Sequence, residues 1–187
     1  MNTRPLRSIY QLKVTLKWSR PPIWRRLQIA STDNLEDLHI VLQIVMGWTN
    51  SHLHEFTSGR DRYGVADEEF SSDVHDEIEY RIDQVLQNEK DSLNYTYDFG
   101  DSWEHELLLE KILPYQTNTV LPICLKASRA CPPEDVGGVP GYEMFLEAIS
   151  DPAHPDHEEM LEWVAEGFDA EHYDLSETNE LLREYYD

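Results

Sequence analysis

Residues 95–110, YTYDFGDSWEHELLLE, decide the fold, because they read as two strands joined by a tight turn. Gly100 and Asp101 supply the turn chemistry. After the turn, apolar and charged residues alternate with the period of two that is typical of a half-buried strand. One face would carry Trp103, His105, Leu107 and Leu109, and the other Glu104, Glu106 and Glu110. The pattern predicts a hairpin with strands over residues 93–99 and 103–112, and with Trp103 packed against the core.

A second hairpin is predicted near the N-terminus. Residues 10–18 alternate in the same way, a break at Arg20-Pro21-Pro22 follows, and residues 23–29 return as the partner strand. Asp33 and Glu36 then form a start signal similar to a capping box, and apolar residues at helical spacing continue to Trp48. Gly47 is a suitable end for this helix.

The rest of the chain changes from strands to helices. Short strands are predicted over residues 52–56 and 121–129, and a polar loop over residues 59–75. Residues 78–86 fit a strand or a helical turn equally well. Helices are predicted from Pro140 to residue 149, over residues 155–167 and over residues 175–185, the second burying Met160, Leu161, Trp163 and Val164. We therefore expect an α+β fold in a single domain, residues 1–187, with a mainly antiparallel sheet, one helix after the first hairpin and a C-terminal helical third.

Charge is the strongest global signal. The formal net charge is −22, which disfavours sequence-independent binding to nucleic acid. Residues 1–32 nevertheless contain seven Lys or Arg and no acid, whereas residues 134–187 contain seventeen acids and one base, Arg183. The basic strands either lie beside the acidic helices or form a face for an anionic partner. Two cysteines, no signal-like N-terminus and no apolar stretch of membrane-spanning length indicate a soluble protein of the cytoplasm.

Three segments supply candidate site residues. His52 and His54 lie two apart on a predicted strand, so both imidazoles would leave the same face and could hold a divalent metal, with Asp101 completing the shell. Neutral histidines at strand ends also serve as hydrogen-bonding groups, and Asp98 and Asp101 can instead cap the turn. A core position is favoured for His105, which shares a face with Trp103. The candidate cleft comprises His52, His54, Asp98, Asp101, His105, Arg129, Glu134 and Asp135.

The loop at residues 131–138, CPPEDVGG, is the third segment. Two prolines and two glycines exclude a regular element, and such a loop can present Glu134 and Asp135 in fixed positions before a helix. Arg129 can pair with one of these acids. Cys131 lacks a basic partner other than Arg129, which favours an inert thiol over a nucleophile.

Four ordered motifs together resemble the plasmid pRiA4b ORF-3-like family, whose members are uncharacterised. The motifs lie at residues 22–26 (PIWRR), 52–56 (HLHEF), 97–105 (YDFGDSWEH) and 131–138 (CPPEDVGG), and residues 167–169 (GFD) look similar too. The resemblance covers nearly the whole chain and carries no catalytic assignment. The family's motif positions would fall on Trp24, Arg25, His52, His54, Asp98, Asp101, Trp103, His105, Cys131, Glu134, Asp135 and Gly138.

Three hypotheses about function follow. The first is a ligand-binding or interaction module that uses the polar cleft, with a small molecule or a protein as partner. The second is a metal-dependent hydrolase, with His52 and His54 as ligands and Glu134 or Asp135 as general base. The third is a nucleic-acid accessory protein of mobile elements, suggested by Trp18 and Trp24 among the basic strands and opposed by the overall charge. No membrane association is expected.

Overall fold

The computed structural model describes residues 7–65, 73–164 and 167–186, and it confirms the α+β class. Within these residues, eight strands form one sheet in the order β5-β4-β3-β6-β7-β1-β2-β8, in which all neighbours are antiparallel except β4 and β5. The strands are β1 Ser8–Leu16, β2 Trp24–Ala30, β3 His54–Ser58, β4 Asp61–Gly64, β5 His75–Asp76, β6 Ser92–Tyr97, β7 Trp103–Pro114 and β8 Ile123–Ser128. The helices are α1 Leu35–Met46, α2 Ile82–Val85, α3 Gly138–Ser150, α4 His157–Trp163 and α5 Leu175–Tyr186.

Both predicted hairpins are confirmed. β1 pairs with β2 and β6 pairs with β7, and the second hairpin starts from the pair Tyr97 and Trp103. β1 also pairs with β7, so the two hairpins join into the centre of the sheet. The predicted alternation places Trp103 and His105 in the interior, both without solvent exposure, while Glu104 and Glu106 stay accessible.

One hydrophobic core lies between the sheet and the helices. It joins inward-facing strand residues such as Val14 with Leu42 of α1, Phe145 of α3 and Leu182 of α5. The alternate strand positions, for example Lys13, remain partly accessible. No helix in the described part of the chain is both long enough and apolar enough to cross a bilayer.

The start of α1 differs from the prediction by one residue. Asn34, not Asp33, is the N-cap: its side chain accepts the N–H of Asp37, and the Asp37 carboxylate accepts the N–H of Asn34. Two adjacent residues that can both cap made the position ambiguous. The predicted end is correct, since Gly47 adopts the left-handed conformation with φ of 86°.

Several short elements were predicted wrongly or left open. The segment expected as a loop at residues 59–75 contains β4, while residues 66–72 lie outside the described residues. The undecided segment forms a 3-10 turn, Glu77–Glu79, followed by α2. α3 begins two residues before Pro140. α4 is shorter than predicted, and none of its residues is fully buried. Met160 and Val164 pack partly buried against the core as predicted, whereas Leu161 and Trp163 are 43% and 45% exposed.

Candidate functional site

The loop at residues 131–138 lies against the turn that joins β6 and β7. The N–H of Gly137 donates to Asp101 Oδ2 over 3.0 Å. Gly138 adopts φ of +69°, and a Cβ atom on it would lie 2.5 Å from the backbone oxygen of Asp101. Glycine is therefore required where the two segments touch. Because of this contact, Glu134 and Asp135 of the loop lie at the same end of the sheet as Asp98 and Asp101 of the turn.

Three potential metal ligands meet at this contact: His52, Asp98 and Asp135. One ligand atom from each residue lies within 4.8 Å of the other two. His52 Nε2 lies 3.1 Å from Asp135 Oδ1, and His52 Nδ1 lies 3.8 Å from Asp98 Oδ2. The Nε2 atom is itself buried and, despite the short distance, has no hydrogen-bond partner among the described residues. An imidazole nitrogen and two carboxylates thus converge without a hydrogen bond that would satisfy that nitrogen.

Backbone geometry holds both carboxylates in place. Asp98 and Asp135 adopt the left-handed conformation, with φ of 55° and 60°. The Asp98 carboxylate accepts the N–H of Gly100 over 2.8 Å, and its own N–H donates to the carbonyl of Leu53. Aspartate tolerates this conformation better than most residues because its short side chain bonds to the local backbone. Asp98 therefore caps the turn through one carboxylate oxygen, as considered from the sequence, and its other oxygen faces His52.

Glu134 belongs to a hydrogen-bond network next to the three ligands. Tyr97 donates to Glu134 Oε1 over 2.5 Å, and Thr49 donates to Glu134 Oε2. The N–H of Ser51 donates to the Tyr97 oxygen. Burial, followed by the hydrogen bond to Glu134, raises the pKa of Tyr97 well above its usual value, so the phenol stays protonated. Sequence reasoning missed Tyr97 and Thr49; the position of Tyr97 directly before Asp98 was the available signal.

His54 lies apart from this group. Its Nε2 is 2.8 Å from Glu77 Oε2, and its ring stacks on His39 with centroids 3.4 Å apart. The period-two argument placed His52 and His54 on one face, but β3 begins at His54, so His52 precedes the strand and is directed elsewhere. The structure therefore does not gather the predicted set His52, His54 and Asp101.

The other predicted cleft residues have separate roles. His105 is fully buried, with Nδ1 3.4 Å from the carbonyl of Tyr95, and burial lowers its pKa to about 4. This is the core histidine that the sequence favoured. Arg129 pairs with Glu171 and not with Glu134 or Asp135. Burial raises the pKa of the Cys131 thiol far above its usual value, which agrees with an inert thiol.

The fold and the site together define a class of protein: an α+β protein with a cluster of His and Asp side chains at one end of its sheet. The chain belongs to the plasmid pRiA4b ORF-3-like family, whose model matches residues 8–177. It is 42% identical over 177 residues to the uncharacterized protein y4hQ of Sinorhizobium fredii, covering 94% of this chain and 91% of that relative. A crystal structure of the protein of unknown function MM3350 from Methanosarcina mazei Go1 is similar, with a TM-score of 0.85 and 35% identity over 92% of this chain and 98% of that one.

Proposed function

We propose that the chain is a ligand-binding module whose ligand is a divalent metal cation held by His52, Asp98 and Asp135. The observation that carries the proposal is the convergence of these three side chains within 4.8 Å, with the buried Nε2 of His52 lacking a hydrogen-bond partner among the described residues. A cation would satisfy that nitrogen and neutralise the two carboxylates beside it.

The distances agree with coordination of one ion. Ligand atoms that each lie about 2.1 Å from a metal are roughly 3 Å apart when the angle between them is near 90–100°. The 3.1 Å between His52 Nε2 and Asp135 Oδ1 fits this geometry without adjustment. The 3.8 Å contact of Asp98 is to the other ring nitrogen, Nδ1, so the Asp98 carboxylate would have to move to share an ion that is bound at Nε2. One imidazole and two carboxylates form a mixed nitrogen and oxygen set, which suits Zn²⁺ or Mn²⁺ better than Ca²⁺.

Protein freed of metal with a chelator, and lacking an affinity tag, should bind one Zn²⁺ or Mn²⁺ per chain in isothermal titration calorimetry. Asp98→Asn and Asp135→Asn should each weaken binding by about tenfold or more, because each removes one charged ligand. Asparagine retains the left-handed backbone and the local hydrogen bond, so these changes leave the turn intact. Asp151→Asn, at an exposed acid beyond α3, is the matched control.

A further variant distinguishes this site from the set predicted by sequence. His54→Gln should leave metal affinity unchanged as long as the protein remains folded, because His54 faces Glu77. Absence of binding heat and of a thermal shift with either metal would refute the metal site. A ligand-binding or interaction role without metal would then remain.

A metal-dependent hydrolase is the second candidate, because Tyr97, whose ring contacts that of His52, holds the Glu134 carboxylate beside the site. Three protein ligands leave coordination positions for a water molecule, and Glu134 is the residue next to the ligand Asp135. If Glu134 acts as general base, Glu134→Gln should abolish hydrolysis of a model phosphodiester, bis(p-nitrophenyl) phosphate, while metal affinity stays within about twofold. If the unmodified protein binds metal but hydrolyses none of a panel of model esters and phosphodiesters, the hydrolase is refuted and only the binding module remains.

A further inference from the structure

A groove with a volume of about 880 Å³ lies between α3 and α4, next to the loop that carries Asp135. Each helix contributes five residues, and four of the five have the spacing i, i+3, i+4 and i+7, which is one face of a helix. From α3 these are Gly141, Met144, Phe145 and Ala148, and from the N-cap and body of α4 they are Asp156, Glu159, Met160 and Trp163.

The floor of the groove is apolar, and its solvent-exposed part is formed by Met144 and Trp163, whereas Phe145 beneath them is only 2% exposed. Phe145 and Trp163 meet edge to face with centroids 5.9 Å apart. Met144 is 65% exposed, and Trp163 is 45% exposed. Exposed large apolar side chains that line one concavity mark an interaction site more often than scattered ones do. Methionine also adapts its shape to different apolar partners.

The rim of the groove is acidic. Asp135, Glu147, Asp156, Glu159 and Glu162 line it together with His154, and no Lys or Arg among the described residues does. An apolar floor with a rim of one sign selects a ligand that has apolar side chains flanked by positive charges. α3 has thirteen residues and is therefore about 20 Å long, which matches roughly three to four turns of a bound helix.

We propose that this groove binds a basic amphipathic helix of a partner protein, with the apolar residues of that helix on Met144, Met160 and Trp163 and its Lys or Arg residues on the acidic rim. The recognition mode is a helix in a groove. The proposal goes beyond metal binding. Asp135 is the one residue that the groove shares with the metal site, so the variants chosen below leave it unchanged.

The probe is a fluorescein-labelled model peptide of leucine and lysine, about fourteen residues long, with leucines on one helical face. A shuffled peptide of the same composition separates amphipathic recognition from attraction by charge. Fluorescence anisotropy at physiological salt should show binding of the amphipathic peptide at least about tenfold tighter than that of the shuffled one. Equal affinity for both peptides would overturn the proposal, since a protein of charge −22 attracts any cation.

Met144→Lys should weaken binding of the amphipathic peptide by about tenfold, because it replaces an apolar contact with a like charge. Leu181→Lys introduces the same charge at a 48% exposed leucine of α5 and should change affinity by less than about twofold. The double variant Glu159→Gln and Glu162→Gln, compared with Glu180→Gln and Glu184→Gln on α5, repeats the test without altering apolar residues. The proposal would be overturned if, in each comparison, the groove variant and its control on α5 lost the same amount of peptide affinity.

Two further measurements complete the experiment. Asp98→Asn, which removes a metal ligand, should leave peptide affinity unchanged. The metal-site proposal and the groove proposal can therefore be refuted independently. Sedimentation velocity should show a monomer for both Met144→Lys and the unmodified protein. A dimer that Met144→Lys converts to a monomer would identify a second copy of the chain as the occupant and would overturn the partner helix.

Discussion

Trp103 has no solvent exposure at the start of β7, and its ring lies 6.0 Å from that of Trp48. Its indole nitrogen has no hydrogen-bond partner among the described residues, contrary to what is usual for a buried indole. Because the side chain acts through packing, we expect Trp103→Ala to lower the free energy of unfolding by about 3–5 kcal/mol. Denaturant melts measure this change.

Asp101→Ala is the comparison for Trp103→Ala. Asp101 supplies one hydrogen bond, to the N–H of Gly137, at an exposed position, so its loss should lower the free energy of unfolding by roughly 0.5–2 kcal/mol. A Trp103→Ala protein that melts like the unmodified protein would contradict the packing role, and the segment would then be a recognition surface.

The positions of single residues were predicted correctly where the sequence clearly defined the strand or helix that contains them. Trp103 and His105 were placed correctly because the alternation of β7 is long and regular. His52 was a candidate that the structure places in the cluster, but its pairing with His54 on one face was predicted wrongly because the strand begins at His54, so the period-two alternation does not extend back to His52. Asp135 was found, but its contact with His52 joins residues 83 positions apart, which local patterns cannot show.

Elements that depend on local patterns were predicted best. Both hairpins and α1 carry their own periodicity and their own turn or cap residues. β4 has four residues and is charged, and α2 has four residues, so neither has a detectable period. The core contact predicted for α4 is present in part at Met160 and Val164, but the prediction was wrong for Leu161 and Trp163, which are exposed.

The junction of the loop at residues 131–138 with α3 gives a prediction for an element. A Cβ atom on Gly141 would lie 2.0 Å from the carbonyl oxygen of Val136, so the loop must shift in Gly141→Ala even though alanine favours helices. We expect a loss of stability of about 1–3 kcal/mol together with weaker metal binding, because the shift displaces Asp135.

Glu143→Ala, at an exposed position of the same helix, is the control for Gly141→Ala and should change neither stability nor metal affinity appreciably. Calorimetric titration and thermal melts measure both quantities. Loss of stability with unchanged metal affinity would show that the loop position is not needed for the metal site.

At the scale of the whole molecule, two of the N-terminal bases pair with acids of the sheet. Arg26 pairs with Glu110, and Lys17 lies 3.5 Å from Glu104, so the acids beside these bases are on β7 and not on the C-terminal helices. Arg25 is buried and stacks on Tyr173. The acids that line the groove between α3 and α4 thus contribute a negative face of their own, which is the basis for expecting a basic partner there.

Two histidines in the core make the stability of the whole molecule sensitive to acid. Burial lowers the pKa of His39 and of His105 to about 4, from a usual value of 6.5. The unfolded chain therefore binds more protons than the folded one between pH 6.5 and 4. Each histidine contributes stability that is present in full above pH 6.5 and is lost as the pH falls towards 4. Burial raises the pKa of Asp33 to about 6, which acts in the opposite direction, so the protein's total pH dependence is a sum.

The contribution of His105 can be isolated by comparing His105→Asn with the unmodified protein at each pH. The variant lacks the acid-sensitive group, so the stability difference between the two proteins should shrink by up to about 3 kcal/mol as the pH is lowered from 7 to 4. Urea melts at several pH values measure the difference, and the ring protons of His105 should show no titration above about pH 5 in NMR spectra. A stability difference that does not change with pH would mean that the imidazole is protonated without cost, and that water reaches it in the folded protein.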